Sequence, residues 1–399
     1  MIYGELHPHR PGRSWLRRLL TVCAGLLVLL LVFELGMRLF YPLESLTGYF
    51  DQATDGRAFR LKSNYSGVHS TKEYSVAVRT NDAGLRDDRP LVELTRAPGR
   101  VMCMGDSFAF GVGVSINQMY STVLESLLQN EGSRCSVFST GFDNGLGPVQ
   151  YRFYVEKFFK TLQPDVVIVG LSPTTDFSDH QAIVEECDAQ GKALAQRLVK
   201  LRVDGGKLVD TTVTEQQVRL RDWLHKRSLA FVFFDRALRR LFPSLEQEHE
   251  TQASSIAPFF LQAEGLSRDN AIRPALQALL DMQRFLSERG KTLVVLYIPA
   301  GFQVSRAYFP TLEQFFQYDP QALEQAYTVE QPQTALGAFF SAQGIDWVDP
   351  TQTFKALEEK GYRLYSARDV HWTPEGHAAC ARLLATYLEE KRLAQCMKN

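Results

Sequence analysis

The sequence predicts an α/β protein built on a doubly wound parallel sheet of about five strands. Two observations carry that prediction. Short runs that are apolar throughout, Val101 to Met104 and the run from Asp165 to Leu171 among them, read as strands buried on both faces. Between them lie segments whose apolar residues recur at helical spacing, and that alternation argues for parallel strands joined by right-handed crossovers.

From the amino terminus, Arg10, Arg13, Arg17 and Arg18 precede an uncharged run from Leu19 to Phe33. Continued past Glu34 and Arg38 to Phe40, the run reaches the length of about 20 residues needed to cross a bilayer, provided Glu34 and Arg38 pair or sit near the interface. A signal peptide shares the basic start and apolar middle, but Glu34-Leu-Gly-Met-Arg38 is a poor cleavage site. The expectation is a cytoplasmic tail over 1–18, an uncleaved transmembrane anchor over 19–40, and everything after Tyr41 outside the cytoplasm, periplasmic in a Gram-negative cell.

Residues 41–97 read as an extracytoplasmic lead-in, with an alternating strand from Tyr74 to Thr80 and a polar stretch from Asn81 to Asp87 in which Arg86 and Asp87 pair. The α/β domain takes 98–399. Its first strand is followed by a helix bearing Tyr120, Val123, Leu124, Leu127 and Leu128 on one face. Cys135 to Thr140 is the second strand, Asp143 to Pro148 a glycine-rich turn, and Tyr151, Tyr154, Val155, Phe158 and Leu162 mark the next helix. The third strand ends at Ser172-Pro-Thr-Thr175-Asp176.

From about 180 to 270 the rhythm lapses into a mainly helical insertion, with a hairpin at Val203–Leu208 and an aromatic-rich helix around Trp223 to Phe242. The run Leu229, Val232, Phe233, Arg236, Arg239, Arg240 has the character of a membrane-surface helix, but packing on its own domain is the commoner cause of such a pattern. Beyond it, Ile272 to Leu286 is helical, and Lys291–Ile298 and Ile345–Asp349 are the fourth and fifth strands. Thr373 caps the last helix and Pro374 opens it. The whole is flavodoxin-like, with catalytic loops at the carboxyl edge of the sheet.

Composition excludes more than it assigns. The chain of 399 residues has 45% hydrophobic residues and a formal net charge of −1, which gives no case for nucleic acid. There is no phosphate-binding G-x-x-x-x-G-K-[ST] loop, no C-x-x-C pair and no H-E-x-x-H, so no metal or cofactor is expected. The six cysteines are scattered and do not form a dense disulfide framework.

The chemistry begins at Gly105-Asp106-Ser107, where the first strand turns into a helix and a hydroxyl reaches the edge at which open α/β sheets bind ligands. A hydroxyl is a weak nucleophile at neutral pH, and it needs a base that is itself held in one tautomer by a carboxylate. Asp369-Val-His371, in the loop before the last helix, lies at the same edge. Ser107, His371 and Asp369 therefore supply the three roles.

At these residues the chain resembles the SGNH (GDSL) hydrolase superfamily, especially its bacterial membrane-anchored members and the related polysaccharide O-acetyltransferases. Gly105-Asp106-Ser107 matches the first motif, Gly141 the glycine of the second, and Asp369-x-His371-Trp-x-x-x-Gly-His377 the last. Asn81-x-x-Gly84-x-Arg86-Asp87 and the anchor resemble the membrane-anchored branch, and the likeness runs from about Phe33 to the end, more loosely in the insertion. The resemblance implies Ser107 as nucleophile, His371 as base and Asp369 as its orienter. It also implies oxyanion donors from the backbone N–H groups of Ser107 and Gly141 and from a side chain of the third motif, with Gly105, Asp106 and Asp176 as motif support.

That third motif reads Asn-Asp in the family and Thr175-Asp176 here. Thr175 offers one hydroxyl hydrogen in place of an amide, and Asn144 in the glycine-rich turn is the alternative donor. The expected function is an extracytoplasmic serine esterase acting on acyl groups, O-acetyl above all, of envelope carbohydrate. The alternatives are an O-acyltransferase to a cell-surface polysaccharide, fed by an acyl-donor partner in the inner membrane, and a non-catalytic carbohydrate-binding module, which the Thr175 substitution favours.

Overall fold

The computed structural model describes residues 14–40, 50–51, 60–71, 73–142, 147–173, 176, 180–187, 193–204, 207–210, 228, 230–231, 233–234, 238, 272–311 and 331–393. The chain divides into two compact units, one of residues 1–45 with 214–246 and one of residues 46–213 with 247–399.

In the first unit, helix α1 (Ser14–Phe40) is uncharged from Leu19 to Phe33, with Leu20 61% and Leu29 64% exposed. The stretch Arg17–Gly36 has a mean hydropathy of 2.5, and its 27-residue helix measures about 40 Å at roughly 1.5 Å per residue, longer than the roughly 30 Å core of a bilayer. The Glu34 carboxylate accepts hydrogen bonds from the Ser228 hydroxyl at 3.0 Å and the Ala230 N–H at 2.8 Å. Phe33 lies edge-on to Phe233, with ring centroids 5.4 Å apart, and 5.6 Å from Phe234. The aromatic segment expected to pack on the α/β domain thus has these contacts on α1. The start of a helix leaves N–H groups without acceptors, and Glu34 meets that need from a neighbouring helix.

The second unit holds five parallel strands: β1 (Gly99–Met104), β2 (Cys135–Ser139), β3 (Val166–Leu171), β4 (Thr292–Tyr297) and β5 (Asp346–Val348). Their order across the sheet is β2-β1-β3-β4-β5, the flavodoxin-like order expected from the sequence. Val101 pairs with Val137 on one side and Val166 on the other, and Ile168 sits opposite both Cys103 and Val294.

Alternate strand residues enter opposite layers, which is why both faces must be apolar. Val101 and Cys103 face the layer of α2 (Tyr120–Asn130) and the terminal helix α6 (Pro374–Glu390), where Leu124, Leu128, Leu384 and Leu388 are buried. Met102 and Met104 face α3 (Pro148–Leu162), α4 (Ile272–Ser287) and α5 (Gln331–Gln343), with Tyr151, Leu279 and Phe340 among the buried residues. Each fully buried aliphatic side chain contributes about 1.5–3 kcal/mol relative to exposure, so both layers hold the strand ends firmly.

The lead-in forms a hairpin, Ser66–Ser70 against Ser75–Arg79, at the strand expected from Tyr74 to Thr80. The insertion differs from expectation. It opens as a three-stranded antiparallel sheet of His180–Cys187, Ala193–Asp204 and Lys207–Asp210, with the expected hairpin closing where Asp204 pairs with Lys207. Val199, Leu201 and Val203 alternate with Lys200 and Arg202, a period of two that favours strand over helix.

Candidate active site

The turn after β1 is built to hold Ser107 at the sheet edge. Residues Ser107–Phe110 form one helical turn, with the Asp106 side chain accepting the Phe108 N–H at 3.0 Å. Gly111, at φ 83°, ends it in the left-handed conformation that glycine adopts without strain, and its N–H returns to the Ser107 carbonyl at 2.9 Å. The sequence expectation of an Arg86–Asp87 pair is corrected here. Asp87 bonds Arg89, which also binds Glu125 at 2.6 Å, whereas buried Arg86 donates to the carbonyls of Phe110 (2.8 Å), Gly111 (2.5 Å) and Val114 (2.6 Å). The carbonyls at the end of a helical turn lack intrahelical donors, and a guanidinium fork suits several of them at once.

His371 arrives from a loop tied at its neck. Thr373 N–H donates to the Leu364 carbonyl and Ser366 N–H to the His371 carbonyl, each at 2.9 Å. Thr373 caps α6 as expected, accepting the Gly376 N–H at 3.2 Å, with Pro374 following. Trp372 is buried beneath the loop against Phe108, at 5.0 Å between ring centroids, and Phe354, at 5.5 Å.

These two anchored segments bring together residues 264 apart in the chain. His371 Nε2 lies 2.7 Å from Ser107 Oγ, and His371 Nδ1 lies 2.5 Å from Asp369 Oδ1. With Nδ1–H donated to the carboxylate, Nε2 is left to accept the hydroxyl proton. Burial works to raise the Asp369 pKa, but hydrogen bonds from the His371 side chain and backbone outweigh it, and the net displacement is below the usual carboxylate value. The His371 and Asp369 side chains are 16% and 15% exposed.

Other expected residues take different places. Gly141 N–H, expected among the oxyanion donors, is engaged by Ser139 Oγ at 3.1 Å, and that hydroxyl donates in turn to the Ala109 carbonyl at 2.6 Å. What position 141 requires is closeness: a Cβ there would stand 2.4 Å from Phe110 N and 2.6 Å from Ala109 C. Gly105 is tight for a similar reason, its would-be Cβ lying 3.0 Å from Ala109 Cβ. Asp176 is buried and braces the end of β3, accepting from Ser172 N–H at 2.8 Å and Tyr151 OH at 3.0 Å. Ser107 N–H lies in the first turn of its helix, where no intrahelical acceptor exists. Thr175 and Asn144 lie outside the described residues.

His377 was legible as part of a motif but not in its role. It is fully buried, and its Nδ1 accepts the Tyr120 N–H at 3.2 Å, joining α6 to α2. Burial first, then the positive charge of Arg86 and that of His371, push its pKa down to about 3, so it stays neutral. Among the described residues no group of three or more His, Cys, Asp or Glu side chains is placed to hold a metal ion.

Residues 259–398, which include Asp369, His371 and His377, match the model of a family described as an SGNH hydrolase-like domain, acetyltransferase AlgX. That stretch, about a third of the chain, is similar to an SGNH hydrolase-like domain. Ser107 lies outside the matched stretch, and no curated protein matches the chain. Solved structures similar to this chain include a lipase/acylhydrolase from Enterococcus faecalis, at 9% identity and TM-score 0.36 over 73% of this chain and 96% of that one. The esterase EstA from Pseudoalteromonas sp. aligns at 7% identity and TM-score 0.36 over 74% and 98%. The acetyl xylan esterase AlAXEase aligns at 11% identity and TM-score 0.37 over 72% and 99%.

Proposed function

We propose that this chain is a membrane-anchored, extracytoplasmic serine esterase that removes acyl groups, acetyl above all, from envelope carbohydrate. The observation that carries the reading is the linear relay of Ser107 Oγ, His371 and Asp369 at 2.7 Å and 2.5 Å. Ser107 Oγ attacks the acyl carbonyl carbon as its proton passes to His371 Nε2, and Asp369 stabilises the imidazolium. The oxyanion that forms is met by Ser107 N–H and a further donor, Thr175 or Asn144. The sugar oxygen leaves with the proton from His371. Water then gives a proton to the same nitrogen and attacks the acyl-serine, releasing the acid and restoring Ser107.

A second reading has a specific observation in its favour. The family matched over 259–398 is described by an acetyltransferase, and replacing the water of the second step by a carbohydrate hydroxyl turns the esterase into an O-acyltransferase. That enzyme draws its acyl groups from a membrane partner. The apolar α1 supplies the anchor in both readings, with the basic residues before it in the cytoplasm.

The test is covalent. The full chain in detergent is treated with a serine-directed phosphonate and the adduct is located by mass. Labelling at Ser107 that is lost in Ser107→Ala and His371→Ala supports the reading, and absence of an adduct in the folded protein refutes it. Turnover of a simple acetyl ester, with and without an oligosaccharide acceptor, then separates transfer from hydrolysis.

A further inference from the structure

The tip of the lead-in hairpin touches the loop that carries the base. Thr71 organises the tip: its Oγ1 accepts the N–H groups of Glu73 at 3.1 Å and Tyr74 at 3.2 Å, and its own N–H reaches the Tyr74 carbonyl at 2.8 Å. Such side-chain-to-backbone bonds fix a turn locally, without help from the domain. The two residues so presented both turn to the same place. Glu73 takes the N–H of Ala367 on one carboxylate oxygen at 2.6 Å and the N–H of Arg368 on the other at 3.0 Å. These are the two backbone donors immediately before Asp369. The Tyr74 hydroxyl donates to Asp369 Oδ2 at 3.3 Å, and its ring is held edge-on by buried His69, at 5.2 Å between centroids.

We infer that Glu73 and Tyr74 are positioning residues for the Asp369–His371 pair, and that the lead-in hairpin is thereby a working part of the catalytic site. The inference rests on the esterase or acyltransferase reading of that site. The geometry distinguishes it from a staple that merely holds a loop down. A carboxylate held through one oxygen can rotate about its Cβ–Cγ bond and present Oδ1 off the line of the imidazole. With Oδ1 bound by the His371 ring and backbone N–H, at 2.5 and 3.3 Å, and Oδ2 bound by Tyr74, both oxygens of Asp369 are fixed and that rotation is closed. Outer partners of this kind set the orientation of the groups that react. Glu73 acts one step further back, setting where the loop backbone lies as it enters Asp369.

The experiment uses the full chain in detergent, with Tyr74→Phe, Glu73→Gln and, as a control on the same hairpin, Val68→Ala, whose side chain is 62% exposed. Two quantities are read: phosphonate labelling of Ser107, resolved into affinity and maximal rate, and solvent exchange of the His371 Nδ1 proton by NMR. Loss of one ordinary hydrogen bond predicts that Tyr74→Phe lowers the maximal labelling rate about 3- to 10-fold at unchanged phosphonate affinity. The same variant broadens the Nδ1 resonance through faster exchange, Glu73→Gln moves both quantities in the same direction, and Val68→Ala moves neither. A purely structural tie would lower thermal stability and leave both readouts alone, so Tyr74→Phe with native rate and native exchange overturns the inference. Failure of the native protein to label at Ser107 refutes the function instead, and the Nδ1 exchange in Tyr74→Phe still decides the positioning.

Discussion

Replacing Gly141 with alanine separates two accounts of why a glycine stands at the end of β2. If the residue mattered only for its N–H, alanine would serve equally, because it carries the same N–H. The structure instead places the new Cβ 2.4 Å from Phe110 N, 2.6 Å from Ala109 C and 2.7 Å from Ala109 Cβ, against an ordinary contact of 3.4 Å or more. Relief requires a movement of about 1 Å in the helical turn Ser107–Phe110, since two of the three atoms met are backbone. That turn cannot yield freely: Arg86 holds its carbonyl end, and Gly105 already lies against Ala109. Overpacking of this kind costs about 1–3 kcal/mol. A nucleophile displaced by about 1 Å from its base loses on the order of 100-fold in rate. Gly141→Ala is therefore expected to fold, to melt a few degrees lower, and to label with phosphonate at about one hundredth of the native rate. Thermal unfolding followed by circular dichroism gives the first quantity and timed labelling with mass detection the second. Labelling within a few-fold of native would refute the steric account.

Other expectations follow from the same geometry. Unfolded His377 takes up its proton near the ordinary value of 6.5, while the buried side chain resists protonation down to about 3; the unfolded state thus binds more protons across that window, and stability falls as pH drops through it, by up to about 1.4 kcal/mol per pH unit. Urea unfolding at pH 7 and pH 5 measures this, and His377→Leu is expected to be less stable at pH 7 but to show a shallower fall; an unchanged slope would count against it. Arg86→Met removes the donor to three carbonyls, with an expected cost on the order of 3 kcal/mol and slower labelling of Ser107, both lost if the guanidinium is idle. A reporter fused after residue 60 is expected to be active only outside the cytoplasm, and cytoplasmic activity would overturn the proposed topology.

Where sequence reading succeeded, the relevant property belonged to the side chains themselves. The β3 run Val166–Leu171 is apolar at every step because both of its faces are covered, and Thr373-Pro374 announces a helix start by its chemistry. Ser107, Asp369 and His371 were legible because a hydroxyl, a carboxylate and an imidazole are the side-chain chemistries that such a relay calls for. Arg86 was not, since its partners are backbone carbonyls, which leave no trace in sequence, and Asp87 stood beside it as a decoy. Helix α5 escaped for a related reason: Gly337 interrupts the apolar stripe of Leu336 and Phe340, and only the structure shows Trp347 filling the space above it. Glu73 and Tyr74 act on a loop almost three hundred residues away, a relation that no local pattern encodes.

The charges around the relay explain why a second histidine can lie so near without competing with the first. Arg86 is a buried cation behind the Ser107 turn, and the proposed mechanism makes His371 a cation as well. A protonated His377 would be a third positive charge in the same layer, with no solvent to screen it. Burial and these two neighbours hold it neutral, so its Nδ1 stays an acceptor for Tyr120 N–H through the whole of the proposed cycle. Asp369 works in the opposite sense, since its lowered pKa keeps the carboxylate charged, as the proposed role of His371 requires. In the proposed cycle the neighbouring side chains thus leave the proton transfer to one nitrogen, His371 Nε2, which faces Ser107.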